Sequence, residues 1–431
     1  MSVRERLDRH WFEPAPLRDL ACLRIAIVLV LLADAMWPGT LTQQLRLTRL
    51  PLEWFDPIPS LKLLLLPFGW GARPGAEVIV VAWVVCGAAG ICALAGACTR
   101  VSLFVFAAAS TFLLSHFYSY GIVQHPQAAA IIVLWMLILT PSGEALSVDA
   151  MRARVAESAR RERFVPGDGD GMSRDARWPL RVVQWLLVII YLSAALWKIT
   201  RGRAEWLNGF TMQYYLLLDG STHEVPLAIA FAHAHWIGVA SAVITLAFEL
   251  TFVACVLVPR TTPAYLATGA GLHAGIWLLM RAPFFQLLAL YAAFAAPIRE
   301  WRRRWAPALL RRDPAGMWTV IYDGYCPLCI RTMTQLDVLD GATHLRYVDL
   351  EREWARATEL APNLSRDEMR EEMSVVTPER RVLREFFAFR EIGKRVRPGR
   401  GESRATAVRR ERVRGARVAS EETGKRKRDG D

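Results

Sequence analysis

Two cysteines three residues apart, Cys326 and Cys329 in Asp323-Gly324-Tyr325-Cys326-Pro327-Leu328-Cys329, are the side chains of this sequence best suited to chemistry. They follow a strand-like run, Trp318-Thr319-Val320-Ile321-Tyr322, and open a helix-like segment. A helix start carries partial positive charge and unpaired N–H groups, so it favours a thiolate on Cys326, the thiol nearer that end. Cys329 lies on the same helix face and can close the disulfide. Pro327 suits a first turn, whose amide hydrogens have no intrahelical partner. The alternative for a Cys-x-x-Cys pair is half of a zinc site, which needs a second pair or two histidines nearby. Beyond residue 300 the only further ligand candidate is His344, because Cys22, Cys86, Cys92, Cys98 and Cys255 lie in apolar stretches upstream.

The elements that must carry this pair fall into two regions of contrasting composition. The chain has 431 residues, of which 53% are hydrophobic, more than an ordinary soluble protein. Apolar runs of helix-spanning length crowd residues 17 to 298, whereas charge dominates residues 299 to 431. The candidate spans are 17–37, 76–98, 101–118, 122–140, 179–199, 236–257, 263–281 and 283–298, about eight in all. The run from Leu61 to Pro67 is too short to cross and reads as interfacial or re-entrant. The expected architecture is a polytopic α-helical membrane domain over 1–300, a small α/β thioredoxin-like domain over 311–396 and a disordered basic tail over 397–431.

Basic loops tend to remain cytoplasmic. The connection 141–178 holds Arg152, Arg154, Arg160, Arg161, Arg163, Arg174 and Arg177, and the segment after 298 opens with Arg299, Arg302, Arg303 and Arg304. With eight spans both fall inside, together with Arg4, Arg6 and Arg9. The first apolar run reaches full spanning length and lacks a small-residue cleavage site, so no cleavable signal peptide is expected. A bacterial inner-membrane location with a cytoplasmic dithiol follows, where thiols are held reduced and a pair of this kind donates electrons.

After the cysteines, strands and helices alternate. Pro327 to Leu339 reads as a helix with one buried stripe and His344 to Leu350 as a strand. Ser365 with Glu368 forms a capping box, Met373 to Val376 and Arg381 to Leu383 read as strands, and Phe386 to Val396 as a last helix. The run Tyr322 to Cys329, followed by Arg346-Tyr347-Val348-Asp349-Leu350, resembles the DCC family of thiol-disulfide oxidoreductases, named for its Asp-x-x-Cys-x-x-Cys signature. That resemblance implies Cys326 as attacking thiolate, Cys329 as resolving thiol and Asp323 as a neighbour tuning the site. Asp323 has an equal alternative as a turn-forming residue, since an acidic neighbour raises a thiol pKa unless it accepts the proton. Thioredoxin-like sites usually have a proline just before the third strand. None stands between Glu371 and Ser374, and Pro378 follows that strand.

From Lys394 to Asp431 there are 14 Lys and Arg against 6 Asp and Glu, a surplus of 8 in a net charge of +12. With almost no apolar content this tail is expected to be disordered and to lean on anionic lipid head groups. Aromatics for base stacking are missing from it, which argues against nucleic acid as a partner. A degenerate or frame-shifted end of a longer domain is a further reading.

Charged and titratable groups inside apolar spans are costly, so Asp34, His116, His125, Lys198, Glu249 and His273 are candidates, with His233 and His235 near a boundary. Arg24 reads as pairing with an acid in the bundle. His116 and His125 read as flanking a turn at the water interface, and Cys86, Cys92 and Cys98 as packing. The stretch from Tyr191 to Lys198, continuing through Glu205-Trp206-Leu207-Asn208-Gly209, resembles the membrane region of vitamin K-dependent gamma-carboxylase and its bacterial relatives, the HTTM family. The loop from Pro141-Ser142-Gly143 to Ser147-Val148-Asp149 is similar to that family as well. The resemblance implies an intramembrane base at Lys198, which burial would bring toward neutrality. The alternative is a lysine that snorkels from a helix end.

Three functions are therefore expected in turn. One is a membrane-tethered protein-disulfide reductase that needs no cofactor at its dithiol, acting on a protein or small-molecule disulfide with an unidentified electron donor. Another is an intramembrane enzyme working on a quinone-like or lipid substrate through Lys198. The last is a non-enzymatic redox sensor.

Overall fold

The structure is a computed structural model that describes residues 2–66, 73–121, 125–167, 171–305, 316–340 and 344–395. The basic tail 397–431 and residues 306–315 lie outside the described residues. The chain forms two compact units, one of residues 1–160 and 166–311, the other of 161–165 and 312–431.

The first unit is helical. Among the described residues three helices are long and apolar enough to cross a membrane: Ala76–Ala95, Thr99–Tyr118 and Arg174–Gly202. Two bent pairs, Leu17–Met36 with Thr40–Leu47 and Pro226–Ala232 with His235–Thr251, raise the number to five if each is one span. The expected count of about eight is therefore not reached, for local reasons. The run 122–140 yields a 14-residue helix, His125–Ile138. Glycines, threonines and His273 dilute Thr262–Met280. The run 283–298 divides into Phe285–Leu290, a 3₁₀ turn at Tyr291–Phe294 and Ala295–Trp305.

The core of this unit is apolar, with single polar groups tied to named partners. Arg24 is fully buried, and its guanidinium donates to the carbonyls of Ser142 (2.9 Å) and Leu146 (2.7 Å). The acid expected to pair with it is thus replaced by backbone of the loop that resembles the HTTM family. That loop also caps a helix: the Asp149 carboxylate accepts from Thr99 N–H at 2.7 Å and Cys98 N–H at 3.0 Å. Gly96, at φ +67°, leaves no room for a Cβ against Ser147, so loop and helix ends are locked together. His116, expected at the water interface, is instead wholly buried, with Nδ1 2.6 Å from Gln44 Oε1.

In the second unit, a four-stranded sheet has Trp318–Tyr322 at its centre, parallel to Leu345–Asp349 on one side and antiparallel to Ser374–Val376 on the other, with Val382–Arg384 at the far edge. A parallel neighbour requires a crossover, and the helix Pro327–Asp340 supplies it. The order of elements follows the sequence reading, with Trp354–Leu360 added ahead of the helix Arg366–Glu371, which opens on the Ser365–Glu368 capping box. Side chains of the central strand alternate: Trp318, Val320 and Tyr322 pack with Ile330, Met333 and Ile392, whereas Ile321 packs with Val348, Ala357 and Met369.

One core residue of this unit comes from far upstream. Phe164 is 6% exposed and meets Tyr322 and Tyr347 edge-on, at ring-centroid separations of 5.8 and 4.8 Å. Composition placed the 141–178 connection in solvent, so Phe164 carried no signal of burial. Truncating a buried Phe to Ala costs about 3 kcal/mol. Phe164→Ala should accordingly lower the unfolding midpoint of the second unit in the full chain, read by thermal scanning with limited proteolysis, and an unchanged midpoint would remove Phe164 from the core.

Candidate functional site

The dithiol sits where the central strand hands over to the crossover helix. After Tyr322 the chain turns through Asp323, whose Oδ1 accepts the Tyr325 N–H at 2.8 Å. This is an Asx-type turn, and it gives Asp323 the turn-forming part of its two readings. Gly324 lies against Asp349 so closely that a Cβ there would overlap the carboxylate. Only glycine fits that approach, which explains the residue in the motif. Asp349 is buried at the end of the parallel neighbour, in register with Tyr322, and accepts from Glu351 N–H at 3.0 Å.

Cys326 then occupies the position just before the helix. Its carbonyl accepts from Ile330 N–H at 3.0 Å, the first turn of the helix, and its Sγ accepts from Cys329 N–H at 3.4 Å. The sulfur thus faces an unpaired amide at the positive end of a 14-residue helix. Both thiols are free and half-buried. Burial pushes the Cys329 thiol up to about 12, and hydrogen bonding to Cys326 and the charges of Cys326 and Asp323 push the same way. The two sulfurs are therefore unequal.

Around the pair the surface is apolar. Tyr325 and Leu328, on either side of Cys326, are 69% and 72% exposed. In the same unit Glu351 accepts from Arg366 and Arg370, each at 2.6 Å. His344, the zinc-ligand candidate, instead shares Nδ1 with Asp340 at 2.9 Å. Among the described residues no group of three or more His, Cys, Asp or Glu side chains gathers as a metal would require.

In the first unit, Lys198 is ion-paired. Its ammonium donates to both carboxylate oxygens of Glu249, at 2.7 and 2.8 Å, and lies 5.2 Å from the centre of the Trp206 ring. It stands where a 21-residue helix passes into a π-helical turn, Lys198–Gly202. To act as a base, Lys198 would first have to pass its proton to Glu249. His273 is held separately, with Nε2 2.9 Å from the Tyr191 hydroxyl, which also meets the Tyr291 hydroxyl at 2.8 Å.

Sequence reasoning singled out both cysteines, Asp323, Lys198 and Glu249, but not the pairing of Glu249 with Lys198 or the contact of Asp349 with Gly324, which join residues distant in the chain.

A protein-family model for the HTTM domain matches residues 12–297, more than half of the chain, and one for a DCC1-like thiol-disulfide oxidoreductase matches residues 320–417. No curated protein and no solved structure matches it.

A thiol whose pKa is raised stays protonated until the pH approaches that value, and only the thiolate alkylates. Iodoacetamide applied to the reduced full chain at about pH 8 should therefore modify Cys329 more slowly than Cys326, as read by peptide mass. Equal modification of both thiols would contradict the asymmetry.

Proposed function

We propose that this chain, which belongs to the HTTM family and carries a DCC1-like domain, is a membrane-tethered thiol-disulfide oxidoreductase of the protein-disulfide reductase type. The observation that carries the reading is the Cys329 N–H aimed at Cys326 Sγ at a helix start, beside a second thiol held protonated by burial. Cys326 attacks as thiolate one sulfur of a substrate disulfide. That S–S bond breaks, a mixed disulfide forms, and the departing sulfur leaves with the electron pair and takes up a proton. Cys329 then loses its proton and attacks Cys326 Sγ, releasing the second substrate thiol and leaving a Cys326–Cys329 disulfide. Two electrons have moved from the dithiol to the substrate, and a cellular dithiol reductant returns them.

The main cause of the raised Cys329 pKa, burial, persists through this cycle. The contributions from Cys326 end once its sulfur is bound in the mixed disulfide, which lowers the barrier to deprotonating Cys329 at the moment resolution needs it. Tyr325 and Leu328 offer exposed apolar contact beside the attacking sulfur, which suits a disulfide in an unfolded or loosely folded polypeptide.

The basic loops and the N-terminal arm support a cytoplasmic dithiol in a bacterial inner membrane, where a reductant is at hand. Labelling of Cys326 by a membrane-impermeant maleimide only after permeabilisation is the corresponding check.

The test is disulfide-reductase turnover by the full chain in nanodiscs, with insulin as substrate and dithiothreitol as electron source. Cys326→Ser should reduce turnover by about 10²-fold or more, the loss expected for a nucleophile. Turnover unchanged by Cys326→Ser would dismiss the reading.

A further inference from the structure

The first unit contains a cavity of about 550 Å³ at one end of its helices, within the size range of small-ligand sites. Its lining combines apolar Leu180, Val256 and Phe294 with cationic Arg177, Arg181 and Arg299.

Two of these arginines have carboxylate partners. Arg177 donates to Glu13 at 3.0 Å, and Arg299 holds Asp19 with both terminal nitrogens. Arg181 differs. Among the described residues it donates to the His10 carbonyl at 3.2 Å and to Gln184 Oε1 at 2.8 Å, both neutral acceptors. Gln184 is itself 5% exposed and anchored to the Ala293 carbonyl at 2.8 Å, so it fixes the guanidinium rather than neutralising it. Glu300, exposed at the same cavity, is the one acidic side chain of the lining among the described residues.

The carboxylate of Glu13, whose charge reaches Arg181, is already paired with Arg177, so two half-buried guanidinium groups share one counter-charge, which is costly and calls for a further anion. The neighbourhood registers the positive field: burial, followed by the charges of Arg181 and Arg177, lowers the pKa of His10.

We propose that this cavity binds a phosphate-bearing amphiphile, an anionic phospholipid whose head group meets Arg181 and Arg177 while the first part of its acyl chains lies along Val256 and Phe294. The volume admits a head group and a few methylenes, the remainder of the chains passing to the bilayer. Charge-assisted N–H···O bonds from a guanidinium are well matched to phosphate oxygens, and basic pockets at helix ends are a recurrent form of lipid recognition.

The test uses the full chain, purified, delipidated in neutral detergent and titrated with phosphatidylglycerol, phosphatidylcholine or inorganic phosphate. Binding is read by native mass spectrometry and by the shift in thermal midpoint. Phosphatidylglycerol should bind and raise the midpoint, and phosphatidylcholine should do neither. Arg181→Gln should weaken phosphatidylglycerol binding about fivefold to tenfold, Arg181→Lys should weaken it less, and Arg4→Gln, on the exposed N-terminal helix, should leave it unchanged. An unchanged midpoint of Arg181→Gln in detergent alone shows that the variant folds. If inorganic phosphate at millimolar concentration reproduces the shift with the same dependence on Arg181, the phosphate chemistry holds and the acyl chains have no part in it. Equal binding of phosphatidylcholine, or phosphatidylglycerol binding indifferent to Arg181, would overturn the proposal.

Discussion

The parallel pairing of Trp318–Tyr322 with Leu345–Asp349 is the constraint on which the dithiol depends. Parallel strands need a crossover, so the helix must start at the carboxyl end of the first strand, beside the carboxyl end of the second. Register then places Asp349 opposite Tyr322 and against Gly324, and the turn between them is set by the Asp323 carboxylate. Cys326 is left at the head of the helix with an amide aimed at its sulfur, and Cys329 one turn further in. The inequality of the two thiols is thus a consequence of topology. A slip of one residue in the strand pairing would move Asp349 off Gly324 and detach the loop from its support.

Within the helical unit, the ionisable groups of the apolar stretches are engaged rather than exposed. Arg24 is held by loop carbonyls, Lys198 by Glu249, Asp19 by Arg299 and Asp34 by Gln286. Removing one partner from such a pair leaves a buried charge uncompensated, which costs about 3–5 kcal/mol. The arrangement explains why charge recurs in spans where it is expensive: it ties helices and loops that apolar contact alone would not orient. Arg181, whose hydrogen bonds go to neutral acceptors, stands apart from the others.

The parts of the fold that were legible in the sequence are those governed by short-range rules. A proline and a cysteine pair at a helix start, the Ser365–Glu368 capping box and the strand Trp318–Tyr322 are all set within a few residues, and the structure places them as read. What was not legible depends on contacts distant in sequence. Phe164 joins a core more than 150 residues downstream, Asp349 meets Gly324 across the sheet, and Glu249 reaches Lys198 from another helix. The span count is not confirmed for a different reason: hydropathy records how apolar a run is but not how much of it forms one helix, and the runs 122–140, 263–281 and 283–298 give a 14-residue helix, a diluted helix and a divided one.

Trapping of the intermediate is the most direct measurement of how the two thiols divide their work. The full-length Cys329→Ser chain, exposed to a disulfide-bonded polypeptide and quenched in acid, should accumulate a mixed disulfide at Cys326, identified by peptide mass, while the Cys326→Ser chain accumulates none. An adduct on Cys329 in the Cys326→Ser chain at a comparable rate, or none on Cys326 in the other, would contradict the assignment of Cys326 as the attacking sulfur.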